Sequence, residues 1–183
     1  ALQTSEKVDP ILAELLTLYK FGTKQQLLMD GKRLSNRTYF NLVTLCNLAQ
    51  DVDFALAFIK EYTAYLEPSY QSAAHNWAMA NYFFHSNQLE ACLSIVSKGY
   101  KKYHIFSLQT RILEIKAYYT NLVKNEAEGP SLDHLIENAL KWIANDSKSS
   151  INQRTAFENF VKITRKIYHK YGLYMVTDKE KKQ

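Results

Sequence analysis

Histidine and cysteine are the residues of this 183-residue chain best suited to chemistry, and their spacing gives them no setting for it. His75, His85, His104, His134 and His169 form no i, i+4 pair, the spacing that places two imidazoles on one helix face for a metal. His75 and His85 stand on one helical stretch but about 80° out of alignment at 100° per residue. Cys46 and Cys92 sit in apolar stretches and read as small buried hydrophobes. An apolar setting raises a thiol pKa, which argues against Cys46 as a nucleophile. No C-x-x-C, G-x-x-x-x-G-K, H-E-x-x-H or G-x-S-x-G occurs. The acidic pairs Asp51/Asp53 and Glu126/Glu128 read as helix capping and loop solvation, and Trp77 and Trp142 as core or seam residues. The expectation is a non-enzymatic chain with no catalytic residue, no metal site and no cofactor.

Charge is the next candidate for function. The formal net charge is +5, and residues 141–183 carry ten Lys/Arg against four Asp/Glu, so the excess is C-terminal. Lys162, Arg165, Lys166, His169 and Lys170 share one side of the last helical pattern and form a basic patch. Lys98, Lys101, Lys102 and His104 form a smaller cluster, where cations also offset a helix C-terminal dipole. A basic helix can contact nucleic acid, and an outward charged face is also what a terminal helix needs for solubility. No run of 18 apolar residues occurs, so no membrane span is expected. Thiols without a disulfide framework favour a reducing, cytoplasmic setting. Ala1 opens a polar stretch rather than a signal peptide, and a processed chain or a part of something longer is left open.

The elements that would position these residues are helices. Five Gly and three Pro are too few for a β protein of this size. Asp9-Pro10 opens a helix with Ile11, Leu12, Leu15, Leu16 and Tyr19 on its stripe, ending near Phe21-Gly22. Residues 23–34 carry the weakest pattern, readable as a short helix through Gln25–Met29 closed by Gly31. A helix then runs from about Ser35 to Gln50, and Asp51 caps the next, which carries Ala55, Phe58, Ile59 and Tyr62. Pro68-Ser69 starts another, and Asn87-x-x-Glu90 has the form of a capping box. Helices follow over 105–124 and from Ser131. The last runs from about Ile151 to Tyr171, with Phe157, Phe160, Val161, Thr164, Ile167, Tyr168 and Tyr171 as its buried stripe and Gly172 as its C-cap.

The strongest signal is a repeat. Tyr39, His75 and Arg111 open three stretches 36 residues apart. Leu42, Ala78 and Glu114, then Val43, Met79 and Ile115, then Cys46, Tyr82 and Tyr118 follow in register. Ala55 and Ala91, with Ile59 and Ile95, mark the second helices of the first two units. Such a period marks stacked units that cannot bury their apolar faces alone. The fold expected is all-α: antiparallel helical hairpins stacked as a short right-handed α-solenoid. It forms one domain over 1–183, with repeat-like pairs over 36–145, a capping helix over 150–172 and a charged tail over 177–183.

These residues resemble the tetratricopeptide repeat, whose first helix carries a large residue, Leu, a small residue and Tyr, and whose second carries a small Ala and a closing Pro, here Pro68. The period is 36 rather than the family's 34, the Gly-containing elements are missing, and Gly129-Pro130 displaces the third unit so that Ala139 takes the part of Ala127. The resemblance implies that the first helix of each pair lines a concave groove that binds a protein or peptide. Carried over by register, the groove residues are Arg37, Phe40, Thr44 and Asn47, then Asn76, Ala80 and Phe83, then Gln109, Ile112, Lys116 and Tyr119. Two other readings stand beside it: a nucleic-acid-binding protein using Lys162, Arg165, Lys166 and Lys170, and a structural subdomain of a larger protein.

Overall fold

The computed structural model describes residues 9–98, 104–125 and 132–180, with side chains described over 9–98, 107–124 and 132–170. Among these residues the chain is all-α, 81% helical against 3% strand. It divides into two compact units, Ala1–Leu113 and Glu114–Gln183. No helix is long and apolar enough to cross a membrane among the described residues.

The first unit opens with α1 (Pro10–Lys24), whose N-cap Asp9 accepts a hydrogen bond from the Ile11 amide at 2.9 Å with Pro10 in the first turn. Gln25–Met29 do not form the short helix that could be read there. A turn leads into an antiparallel hairpin of β1 (Met29–Asp30) and β2 (Arg33–Leu34), with Gly31 at φ 61°. Strands of two residues are too short to show a two-residue periodicity, which is why the pattern there was weak. Then follow α2 (Asn36–Leu48), α3 (Val52–Tyr62) with a 3₁₀ turn over Thr63–Tyr65, α4 (Pro68–His85) and α5 (Leu89–Val96). Packing is consecutive: α1 on α2, α2 on both α3 and α4, α3 on α4, and α4 on α5. Tyr39, Leu42, Val43, Cys46, Ala55, Phe58, Ile59, Ala74, Trp77 and Ala78 fill one core between these helices.

Three helices end in the same way. After α1, Leu27 N–H donates to Gly22 C=O at 2.8 Å and Gln26 N–H to Thr23 C=O at 3.0 Å. After α2, Asp51 donates to Cys46 and Gln50 to Asn47; after α4, Gln88 donates to Phe83 and Asn87 to Phe84. These paired bonds absorb carbonyls that a helix end leaves without partners, and they need one left-handed residue each. Gln26, Gln50 and Asn87 supply it, at φ 57°, 57° and 59°. Asn87 is therefore not the N-cap of α5. That position falls to Gln88, which makes no side-chain cap bond, and the capping box expected at Asn87–Glu90 does not form.

The two turns that close hairpins stand 37 residues apart, at Gln50 and Asn87. The first helices keep the 36-residue spacing at Leu42 and Ala78, both fully buried. At the turn the spacing has grown by one. In the second helices this register matches Ala55 with Cys92 and Ile59 with Val96, all four buried, whereas Ala91 and Ile95 are half-buried.

α6 (His104–Asn125) crosses the division between the units. In the second unit α7 (Leu132–Ala144) packs on α8 (Ile151–Glu180) through Leu132, Ile136, Ala139, Ile143, Phe157 and Val161, with Trp142 edge-on to Phe157 at 6.2 Å. A reciprocal cap opens α8: Gln153 N–H donates to Ser150 Oγ at 3.3 Å and Ser150 N–H to Gln153 Oε1 at 3.0 Å. α8 runs through Gly172 to Glu180 rather than ending there. The expected break at Gly129-Pro130, the pair Glu126/Glu128 and the site of Ala127 lie outside the described residues, as do the cluster members Lys101 and Lys102, the side chain of His104 and the end of the charged tail.

Candidate functional site

Of the groove candidates on α2, Phe40 stacks on a core residue of α4, Trp77, which is not itself a candidate. Phe40 lies over Trp77, with ring centroids 4.4 Å apart and planes 16° from parallel. Arg37 is exposed one turn earlier, and Thr44, Asn76 and Phe83 are half-buried, Phe83 edge-on to Tyr82 at 5.5 Å. Asn47 departs from the expected groove wall. It is only 1% exposed, and neither atom of its side-chain amide has a hydrogen-bond partner among the described residues. Ala80 is also buried, which leaves Arg37, Phe40, Thr44, Asn76 and Phe83 as the accessible part of the set. Gln109 and Ile112 are half-buried on α6 within the first unit, whereas exposed Lys116 and half-buried Tyr119 fall in the second.

The basic patch of α8 is partly neutralised by acids of α7 that sequence reasoning passed over. Arg165 Nε donates to Asp133 Oδ1 at 3.0 Å, and its Nη2 lies 3.9 Å from Glu137 Oε1. His169 Nε2 stands 3.1 Å from the same Asp133 oxygen. Lys162 pairs with Glu158 on its own helix at 3.2 Å. Lys166 and Lys170 are exposed and make no ion pair among the described residues. The signal was present: Asp133 and Glu137 are four apart, as are Arg165 and His169, which places two acids on one helical face and an arginine and a histidine on another.

A concavity missed in the sequence lies between the end of α1 and α3. Its volume is about 370 Å³, and Lys20, Thr23, Lys24, Gln26, Phe54, Phe58, Glu61 and Tyr62 line it. Lys20 is ion-paired with Asp51, and its Nζ stands 4.8 Å from the Phe54 ring centroid. The Lys20 hydrogen bond holds the Asp51 carboxyl below its ordinary range, helped by the Phe54 amide and opposed by partial burial. Phe58 and Tyr62 stack at 4.8 Å, and Tyr62 O–H donates to Thr23 C=O at 3.4 Å. Burial first, then the charge of Glu61, raises the Tyr62 phenol.

Burial pushes both thiols, Cys46 and Cys92, up to about 12, so neither is a thiolate near neutrality. Tyr39, raised by burial to about 12, hydrogen-bonds Thr63 Oγ1 at 2.8 Å and ties α2 to the end of α3. Among the described residues no group of three or more His, Cys, Asp or Glu is placed to hold a metal ion. The chain matches no protein-family model, no curated protein and no solved structure.

Proposed function

We propose that the first unit is a tetratricopeptide-like, non-enzymatic module that binds a protein or peptide along the first helices of its hairpins, α2 and α4. The observation that supports this reading is the stacking of consecutive hairpins closed by the same left-handed turn, which lays α2 beside α4. Arg37, Asn76 and Thr44 supply donors for a peptide's carbonyls and carboxylates, and the Phe40–Trp77 stack and Phe83 supply apolar footing beside them. The nucleic-acid reading is weakened by the pairing of Arg165 with Asp133 and Glu137, which leaves fewer cations for phosphate.

The test is selection of peptides from a displayed library against the full chain, followed by affinity measurements. Arg37→Ala should weaken the selected peptide by about tenfold, the cost of one charge-assisted contact. A Lys162→Gln, Lys166→Gln, Lys170→Gln variant, with Arg165 kept because it holds α7, should bind the peptide unchanged. Recovery of no peptide, together with oligonucleotide binding that falls steeply with salt and is lost in the triple variant, would overturn the reading in favour of α8.

A further inference from the structure

α1 is apolar on two sides. Leu12, Leu16 and Tyr19 pack on the core of the first unit. At 100° per residue, Ile11, Leu15, Leu18 and Phe21 fall in a second arc of about 120°, turned away from the first. These four are 72%, 40%, 62% and 58% exposed, and Leu27 in the following turn is 69% exposed. A helix with solvent on its outer side needs only one apolar stripe, so the second arc is a surface shaped for cover.

We propose that two copies of this chain associate through this face, their α1 helices antiparallel about a two-fold axis near Leu18. The area fits. At about 200 Å² for a fully exposed large apolar side chain, the five exposures amount to roughly 600 Å² per copy. Two copies then bury about 1,200 Å², the lower bound of a specific interface and the size of a weak, concentration-dependent dimer. A straight stripe along a helix is complementary to itself under such an axis, which sets Leu15 opposite Phe21. The same axis brings Glu14 of each copy alongside the last turn of the other's α1, where Lys24 sits on the same flank. Neither Glu14 nor Lys24 has an ion pair among the described residues. A bilayer is the poorer occupant, because the arc contains Glu14 and no Lys or Arg, the reverse of a helix suited to anionic lipid. The face is separate from the α2–α4 groove, so the proposal does not depend on peptide binding.

Sedimentation of the full chain from roughly 1 to 200 µM should show a concentration-dependent rise from the mass of one chain to that of two. Leu18→Glu and Phe21→Glu should raise the dissociation constant at least about tenfold while leaving the circular dichroism of the parent, since both side chains are exposed in the single chain. Leu18→Cys should form a disulfide-linked dimer on mild oxidation, whereas Ala13→Cys, on the opposite side of α1, should not. Cys46 and Cys92 are buried and silent in this assay. A parent that stays a single chain throughout overturns the proposal, even if it captures a helical peptide through this face. So does a dimer that survives Leu18→Glu, or one that Leu18→Cys fails to trap.

Discussion

In the α2–α3 hairpin, the residue that follows the left-handed turn is Asp51, and it does three things: it closes the turn, caps α3 through the Phe54 amide at 3.2 Å and pairs with Lys20 of α1. In the α4–α5 hairpin the same position is Gln88, which closes the turn and caps nothing. The second helix is eleven residues long in the first case and eight in the second. Buried Phe58 in α3 is matched by half-buried Ile95 in α5. The backbone repeats while the side chains that lock it do not. A repeat can thus be carried by turn geometry and one small buried position, with anchoring left to differ from unit to unit.

Truncating the cores should separate the hairpins most. Phe58→Ala is expected to cost about 3–5 kcal/mol, and Ile95→Ala well under half of that, because it deletes fewer atoms from a half-buried site. Urea denaturation of both variants measures the gap; equal costs would erase the contrast. Overpacking tests the register itself. Ala55→Leu and Cys92→Leu should each lose about 1–3 kcal/mol, since both positions are fully buried, and Ala91→Leu much less. If Ala91→Leu is as damaging as Ala55→Leu, the 36-residue register governs the second helices and the 37-residue one fails.

The smallest effects concern the cap. Asp51→Ala should cost about 1–2 kcal/mol, most of it from the lost cap, because its pair with Lys20 is partly exposed. Gln88→Asp should gain about 0.5–1 kcal/mol by giving α5 the cap that α3 has. The pH dependence has a definite sign. The folded Asp51 carboxyl titrates below its ordinary value of 3.8, so its contribution is present above that pH and is lost as pH falls through the folded value. Parent and Asp51→Asn should therefore keep a constant gap in stability from neutrality down to about pH 3.8 and converge only as pH falls below it; a gap that stays constant through that lower range would remove the role given to the carboxylate.

The helices were legible wherever an apolar stripe ran for three turns, as with Leu42, Val43 and Cys46 or Phe157 and Val161. The caps Asp9 and Asp51 were legible from their residue type. The turns were not, because the residue expected at φ > 0 is Gly and this chain uses Gln26, Gln50 and Asn87. Asn87 has the side chain of an N-cap and sits one residue too early to act as one. Of the candidate groove, the chemistry of Arg37, Thr44 and Phe40 was readable, but burial of Asn47 was not, since a polar residue at helical spacing reads as solvent-facing. The α1–α3 concavity joins residues 20–26 to 54–62, and no local pattern announces a contact of that span.

Each of the two hairpins carries one sealed sulfur, Cys46 in α2 and Cys92 in α5. A thiol shielded from solvent and held far from its anion reacts with an alkylating reagent only while its surroundings come apart, so the chain carries a built-in clock for each hairpin. With the native fold intact, the alkylation rate at each position reports how often that hairpin breathes open. The less anchored α4–α5 hairpin should release Cys92 first, while Cys46, behind Asp51 and Lys20, should be modified only when the whole unit unfolds.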